Sequence, residues 1–162
     1  MRTLIVVSAF VISIATGVSA REWVLGAGTS QFHDVNSNSG SIASFELHSD
    51  PFYTRNRFSL RYMGVISAHA TGDFFIGVGV SGVYDFDNRW YAEGSIAPGY
   101  FNESSTNNDL GSPFEIRSLL GLGYELNSGD SISLAVMHKS NASTASQNPG
   151  VNGVLLRYHH RF

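Results

Sequence analysis

The chain has no cysteine, so a disulfide framework is excluded. Charge is scarce too. Asp, Glu, Lys and Arg make up 14 % of the 162 residues, against about 25 % in ordinary soluble domains. The small acidic excess, 13 acidic residues to 10 basic, argues against nucleic acid as a partner. After residue 20 no apolar run is long enough for a membrane helix, which needs about 20 residues. No heptad or helical stripe stands out either. Glycine (17 residues) and aromatics (12 %) take the place of charge. That composition suits a surface facing lipid.

The first 20 residues stand apart. Met1-Arg2 supplies a positive start, Leu4 to Val18 is apolar or small, and Val18-Ser19-Ala20 offers small residues for cleavage. This is the layout of a secretory signal peptide, expected to be cut after Ala20. Its removal takes only Arg2 among the charged residues. It leaves one domain, residues 21–162, with 9 basic and 13 acidic side chains.

The mature chain alternates with period 2 in blocks of about ten residues, the mark of strands with one apolar face. In residues 72–86, Phe74, Ile76, Val78, Val80 and Tyr84 oppose Gly77, Gly79, Ser81 and Asp85. In residues 114–126, Phe114, Ile116, Leu120, Leu122, Tyr124 and Leu126 oppose Glu115, Arg117, Gly121, Gly123 and Glu125. Residues 57–68 set Phe58, Leu60, Tyr62 and Ile66 against Ser59 and Arg61. Weaker alternation covers 22–31, 40–49, 89–101, 131–141 and 151–162, giving eight strands.

A soluble sandwich or a lipocalin-like barrel could alternate in the same way. Three features favour an eight-stranded antiparallel transmembrane β-barrel of the bacterial outer membrane. The strand count is even, and the strands are long enough to cross a bilayer when tilted. Tight turns at 85–88 and 127–130 alternate with longer polar loops at 32–39, 102–111 and 142–150, although the loop at Thr71-Gly72 is short. The last strand is amphipathic and stops on Phe162, which resembles the signal read by outer-membrane assembly machinery. Glu93, Glu115 and Arg117 are expected to form a charge network inside the barrel. His159 and His160 point to opposite faces, and no His/Asp/Glu spacing suggests a metal.

Strand seven carries the unusual residues. Ile132, Leu134 and Val136 define its lipid face, and residues i and i+2 share a face. His138 and Ser140 therefore continue the lipid face at its outer end, while Lys139 points to the lumen. Ionisable groups facing a membrane are costly and often functional. An imidazole beside a hydroxyl is what a serine nucleophile and its base require.

His138-Lys139-Ser140-Asn141-Ala142, followed by Asn148-Pro149-Gly150 and a closing strand, resembles the lipid A 3-O-deacylase (PagL, or acyloxyacyl hydrolase) family. Glu115 and Arg117 in strand six look similar as well. The resemblance implies an eight-stranded fold and a carboxylic ester hydrolase that needs no cofactor. The implied reaction is removal of an ester-linked 3-O-acyl chain from lipid A in lipopolysaccharide, with membrane lipids around the site. It implies Ser140 as nucleophile, His138 as base and Asn148 as oxyanion donor. The family's usual Glu, twelve residues after the serine, is replaced here by Asn152. Asn can orient a His by accepting a hydrogen bond but supplies no charge. Asn152 is the expected orienting residue, with Asp109 and Glu103, in the loop leading to neighbouring strand six, as substitutes. Two rival readings stay open: a structural or adhesive barrel working through loop 102–111, and a soluble lipocalin-like binder. A homodimer is the one self-association left open.

Overall fold

The computed structural model describes residues 20–33 and 39–162. Eight strands make one closed antiparallel barrel in chain order: β1 (Ala20–Phe32), β2 (Gly40–Arg55), β3 (Phe58–His69), β4 (Phe74–Asp85), β5 (Trp90–Asn102), β6 (Phe114–Glu125), β7 (Ser131–Ser140) and β8 (Val151–Arg161). β1 pairs with β8 from Glu22↔Arg161 to Phe32↔Val151, which closes the ladder. The expected leader lies outside the described residues, apart from Ala20, which opens β1. Short turns connect the strands at one end of the barrel. The other end carries the end of β1, the start of β2 and the connections 70–73, 103–113 and 141–150.

The alternation becomes two surfaces. Side chains such as Val78 (71 % exposed), Leu120 (64 %) and Leu156 (64 %) point outward as an apolar belt. Tyr62, Tyr84, Trp90 and Tyr158 ring the belt at the turn end, and Phe74, Tyr100 and Phe114 at the loop end. Aromatic girdles around an apolar band are how a barrel meets the two membrane interfaces.

One strand departs from the sequence expectation. β2 runs to Arg55 rather than stopping near residue 49. Its register slips between His48 and Pro51, and His48 and Ser49 are buried in succession. The Tyr62 amide donates to Ser49 Oγ at 3.0 Å, so a side chain takes over an acceptor role in the ladder. A β-bulge of this kind interrupts period 2 without ending the strand, and Pro51 cannot donate to a ladder.

Eight strands leave an interior just wide enough for side chains to fill, and here charges fill much of it. Arg157 donates to Glu46 (2.9 Å) and Glu93 (2.7 Å), and Arg117 donates to Glu46 (2.7 Å). Nearer the turn end, Glu22 accepts from Arg61 (2.7 Å) and lies 2.8 Å from His159 Nδ1. The expected network of Glu93, Glu115 and Arg117 is therefore drawn differently. Glu93 and Arg117 are members through Arg157 and Glu46, but both carboxylate oxygens of Glu115 are buried without a hydrogen-bond partner. The reason is strand position: Arg117 turns to Glu46 across the lumen. Toward the loop end the filling becomes apolar, with Phe32, Phe75, Phe101, Val151 and Leu110 packed together. Leu110 comes from loop 103–113 and helps seal that end.

A carboxylate clasp holds that loop. Asp73 accepts from Ser104 N (2.7 Å), Ser104 Oγ (2.9 Å), Asn108 Nδ2 (2.7 Å) and Thr71 Oγ1. Burial alone would raise the Asp73 carboxyl pKa, but these donors outweigh it and hold it below its ordinary value. A carboxyl lowered in the folded state contributes stability above its unfolded pKa and loses it as pH falls through the folded value.

Arg157→Met leaves two buried carboxylates short of a counter-charge and should cost about 3–5 kcal/mol in urea unfolding of the barrel in vesicles. The protection of the Ser104 amide, its exchange rate relative to that of the unfolded chain at the same pH, should hold through neutral and mildly acid pH and fall only below the ordinary carboxyl range, where Asp73 protonates. Asp73→Asn should make that exchange fast at pH 7.

Candidate active site

β7 is pinned from inside and presents its site outside. Lys139 is buried, with Nζ 2.8 Å from His69 Nε2 and lying over the Phe75 and Phe101 rings. His69 Nδ1 in turn meets Ser30 Oγ at 2.8 Å. With Lys139 anchored inward, the pleat turns His138 and Ser140 outward at the loop end. Both are half-buried.

His138 lies opposite Asn152 in the β7–β8 register. Its Nδ1 is 2.7 Å from Asn152 Oδ1. Asn152 Nδ2 is 2.9 Å from His33 Nε2, and His33 Nδ1 is 2.9 Å from the Pro149 carbonyl oxygen. The His33 amide also donates to Gly150 O at 3.2 Å. Three side chains from β7, β8 and the end of β1 therefore form one chain of hydrogen bonds across the barrel seam.

The remaining expected residues fall as follows. Ser140 shares the outward face with His138, and no hydrogen bond joins its hydroxyl to that imidazole. Such contacts often tighten only when substrate is bound. Asn148 Oδ1 accepts from the Asn141 amide at 3.0 Å. That bond leaves Asn148 Nδ2 with no acceptor among the described residues. Asn141 itself is buried and holds the loop, donating through Nδ2 to Leu110 O and Gln147 O. In this structure the His138 imidazole is hydrogen-bonded to Asn152 and to neither Asp109 nor Glu103. The Asp109 carboxylate accepts from Gly111 N within its own loop (2.7 Å). His138 bonds to Asn152 because the strand register places that residue directly opposite.

His33 is the site residue that reading along the chain missed. It follows β1, far from His138 in sequence. The available signal was topological: in a closed barrel the first and last strands are neighbours.

An open groove of about 870 Å³ adjoins the site on the outer face. Leu120, Val136 and Val154 give it apolar walls, and His138 and Asn152 stand at one edge. Gly150 shapes that edge from the loop side. Its φ is +74°, and a Cβ there would lie 3.0 Å from His138 Cε1. A glycine is needed both for the left-handed backbone and for the space beside the imidazole.

Among the described residues, one group inside the lumen has the proximity a metal needs: ligand atoms of Glu46, His48 and Glu93 lie within 4.8 Å of one another. Arg117 and Arg157 already pair with its carboxylates, so guanidinium charge fills the role a cation would have.

A closed eight-stranded barrel with an apolar belt, a plugged lumen and a His/Ser/Asn cluster on its outer face is the architecture of a small outer-membrane barrel with an external site. The chain belongs to the lipid A 3-O-deacylase (PagL) family, whose model it matches over residues 39–161. It is 35 % identical over 75 residues to lipid A deacylase PagL of Bordetella bronchiseptica. That match spans 46 % of this chain and 42 % of the relative's length. In fold it resembles the outer membrane enzyme PagL (TM-score 0.71, 18 % identity), covering 87 % of this chain and 99 % of that one. It also resembles Neisserial surface protein A (TM-score 0.53, 14 % identity), covering 90 % of this chain and 99 % of that one.

Gly150→Ala should leave the barrel folded, as judged by heat-modifiable gel mobility. Pushing the imidazole aside by a few tenths of an ångström should lower ester hydrolysis by roughly threefold to tenfold, since misplacement near 1 Å can cost about 10²-fold.

Proposed function

We propose that this chain is a serine esterase of the bacterial outer membrane that removes the ester-linked 3-O-acyl chain of lipid A. The supporting observation is the outward imidazole of His138, hydrogen-bonded through Nδ1 to Asn152 and followed two residues on by Ser140. Family membership points to the same chemistry. A purely structural barrel has no use for an imidazole held in a hydrogen-bonded chain on its lipid-facing side, where polar groups are costly.

The reaction follows from the atoms available. His138 Nε2, the ring nitrogen that Asn152 leaves unused, takes the Ser140 hydroxyl proton as Oγ attacks the acyl carbonyl carbon. Asn148 Nδ2 is the candidate donor to the oxyanion that forms, the kind of contact that counts most where charge develops. The tetrahedral intermediate collapses with cleavage of the ester C–O bond. The imidazolium returns its proton to the departing sugar oxygen, leaving Ser140 acylated. Water, deprotonated by the same nitrogen, attacks the acyl-enzyme, releases the fatty acid and restores the Ser140 hydroxyl. No cofactor enters these steps.

The groove gives the acyl chain a place to lie. Its apolar walls, Leu120, Val136 and Val154, continue the belt that membrane lipid solvates, so a lipid substrate reaches the serine without leaving the leaflet. Asn152 holds the imidazole in orientation but contributes no charge to the imidazolium, and slower turnover than a carboxylate-assisted triad is expected.

Mass spectrometry of lipid A from cells with and without the protein tests the reading. Expression should remove one 3-O-linked acyl mass. Ser140→Ala should leave lipid A intact, and His138→Ala should slow the loss by about 10²–10⁴-fold. Unchanged lipid A in cells holding the folded wild-type barrel would contradict it.

A further inference from the structure

We infer that His33 is a positioning residue: through the Asn152 side-chain amide it sets which nitrogen of His138 carries the proton. The inference rests on the proposed esterase reading for its kinetic consequence, but its geometry stands separately.

The direction of each hydrogen bond follows from one fixed end. The Pro149 carbonyl can only accept, so His33 Nδ1, 2.9 Å away, must carry a hydrogen. In a neutral imidazole the other nitrogen, Nε2, is then an acceptor. The group 2.9 Å from it must donate, which makes it the Asn152 NH₂. The carbonyl oxygen of the same amide therefore faces His138 Nδ1 at 2.7 Å, and Nδ1 must be protonated. The Nε2 lone pair of His138 is left for the Ser140 proton. The His33 backbone amide, bonded to Gly150 O, keeps the far end of this chain in place.

An amide at position 152 makes such a device necessary. A carboxylate accepts through either oxygen and orients a histidine whichever way it is turned. An amide does so only with its oxygen toward the ring. Turned over, it offers an NH₂ to Nδ1 and favours the tautomer protonated on Nε2, which cannot accept from serine. Removing His33 would free the amide to turn, and the turned-over, unproductive form, no longer opposed by the His33 ring, would then predominate.

The test is a double-mutant cycle on the full-length barrel in detergent micelles, with a soluble acyl ester and with lipid A. In the wild-type background His33→Ala should lower kcat by about tenfold or more while KM changes by less than about twofold, because only the base is affected. In an Asn152→Asp background, isosteric but symmetric as an acceptor, the same change should cost less than about threefold. Equal losses in the two backgrounds, or no loss in either, would overturn the inference, since a loop-holding role does not depend on what stands at 152. Nitrogen-15 spectra of labelled histidine give a readout that needs neither mutant nor turnover. Wild-type His138 should be the Nδ1–H tautomer, and an Nε2–H signal there would overturn the inference even if His33→Ala failed to fold. The expected tautomer together with inert lipid A would instead sink the esterase reading and leave the His33 relay standing.

Discussion

Inside a bilayer no water is available to a backbone N–H or C=O, so a spanning sheet has to close its own ladder. In this chain the closing pair is β1 with β8, and much else depends on that seam. Closure sets the first strand beside the last and brings the end of β1, the start of β8 and the end of β7 to one place at the loop end. His33, Asn152 and His138 meet because the barrel is shut, not because they are near in sequence. Closure also leaves an interior only wide enough for side chains, so what faces inward must be paired or packed.

The interior and exterior then solve opposite problems. Inward-facing Glu46, Glu93, Arg117 and Arg157 exclude a pore by filling the lumen with ion pairs, and a layer of Phe and Leu side chains seals the loop end. Outward, an apolar belt gives way near the loop end to a small polar cluster. Lys139 belongs to the inner set and His138 and Ser140 to the outer. Their alternation on β7 means that the buried lysine helps to aim the outward-facing pair. A site built this way opens sideways into lipid, which fits a substrate whose reacting ester sits at the base of acyl chains.

Much of this is legible in the amino-acid sequence. Period-2 alternation and the spacing of turns located all eight strands, and the face shared by Val136, His138 and Ser140 could be read directly from residue parity. The end of β2 was not legible, because the bulge at His48–Ser49 breaks parity while the hydrogen-bonded pairing continues. The partner of Arg117 was not legible either. Alternation says that a side chain faces the lumen but not which residue it meets across it, so Glu115 was assigned a network it does not join. At the site, position 152 could be placed by counting from Ser140. His33 could not, because its role is set by the seam and by a single carbonyl in loop 141–150, and neither leaves a mark in local spacing.

The central claim is that Ser140 is an activated nucleophile facing lipid. Labelling of the membrane-embedded protein with a long-chain alkyl fluorophosphonate, followed by peptide mass spectrometry, tests it most directly. The adduct should sit on Ser140 and should be lost when His138 is replaced by alanine. No adduct on the folded barrel, or one on a different serine, would contradict the claim.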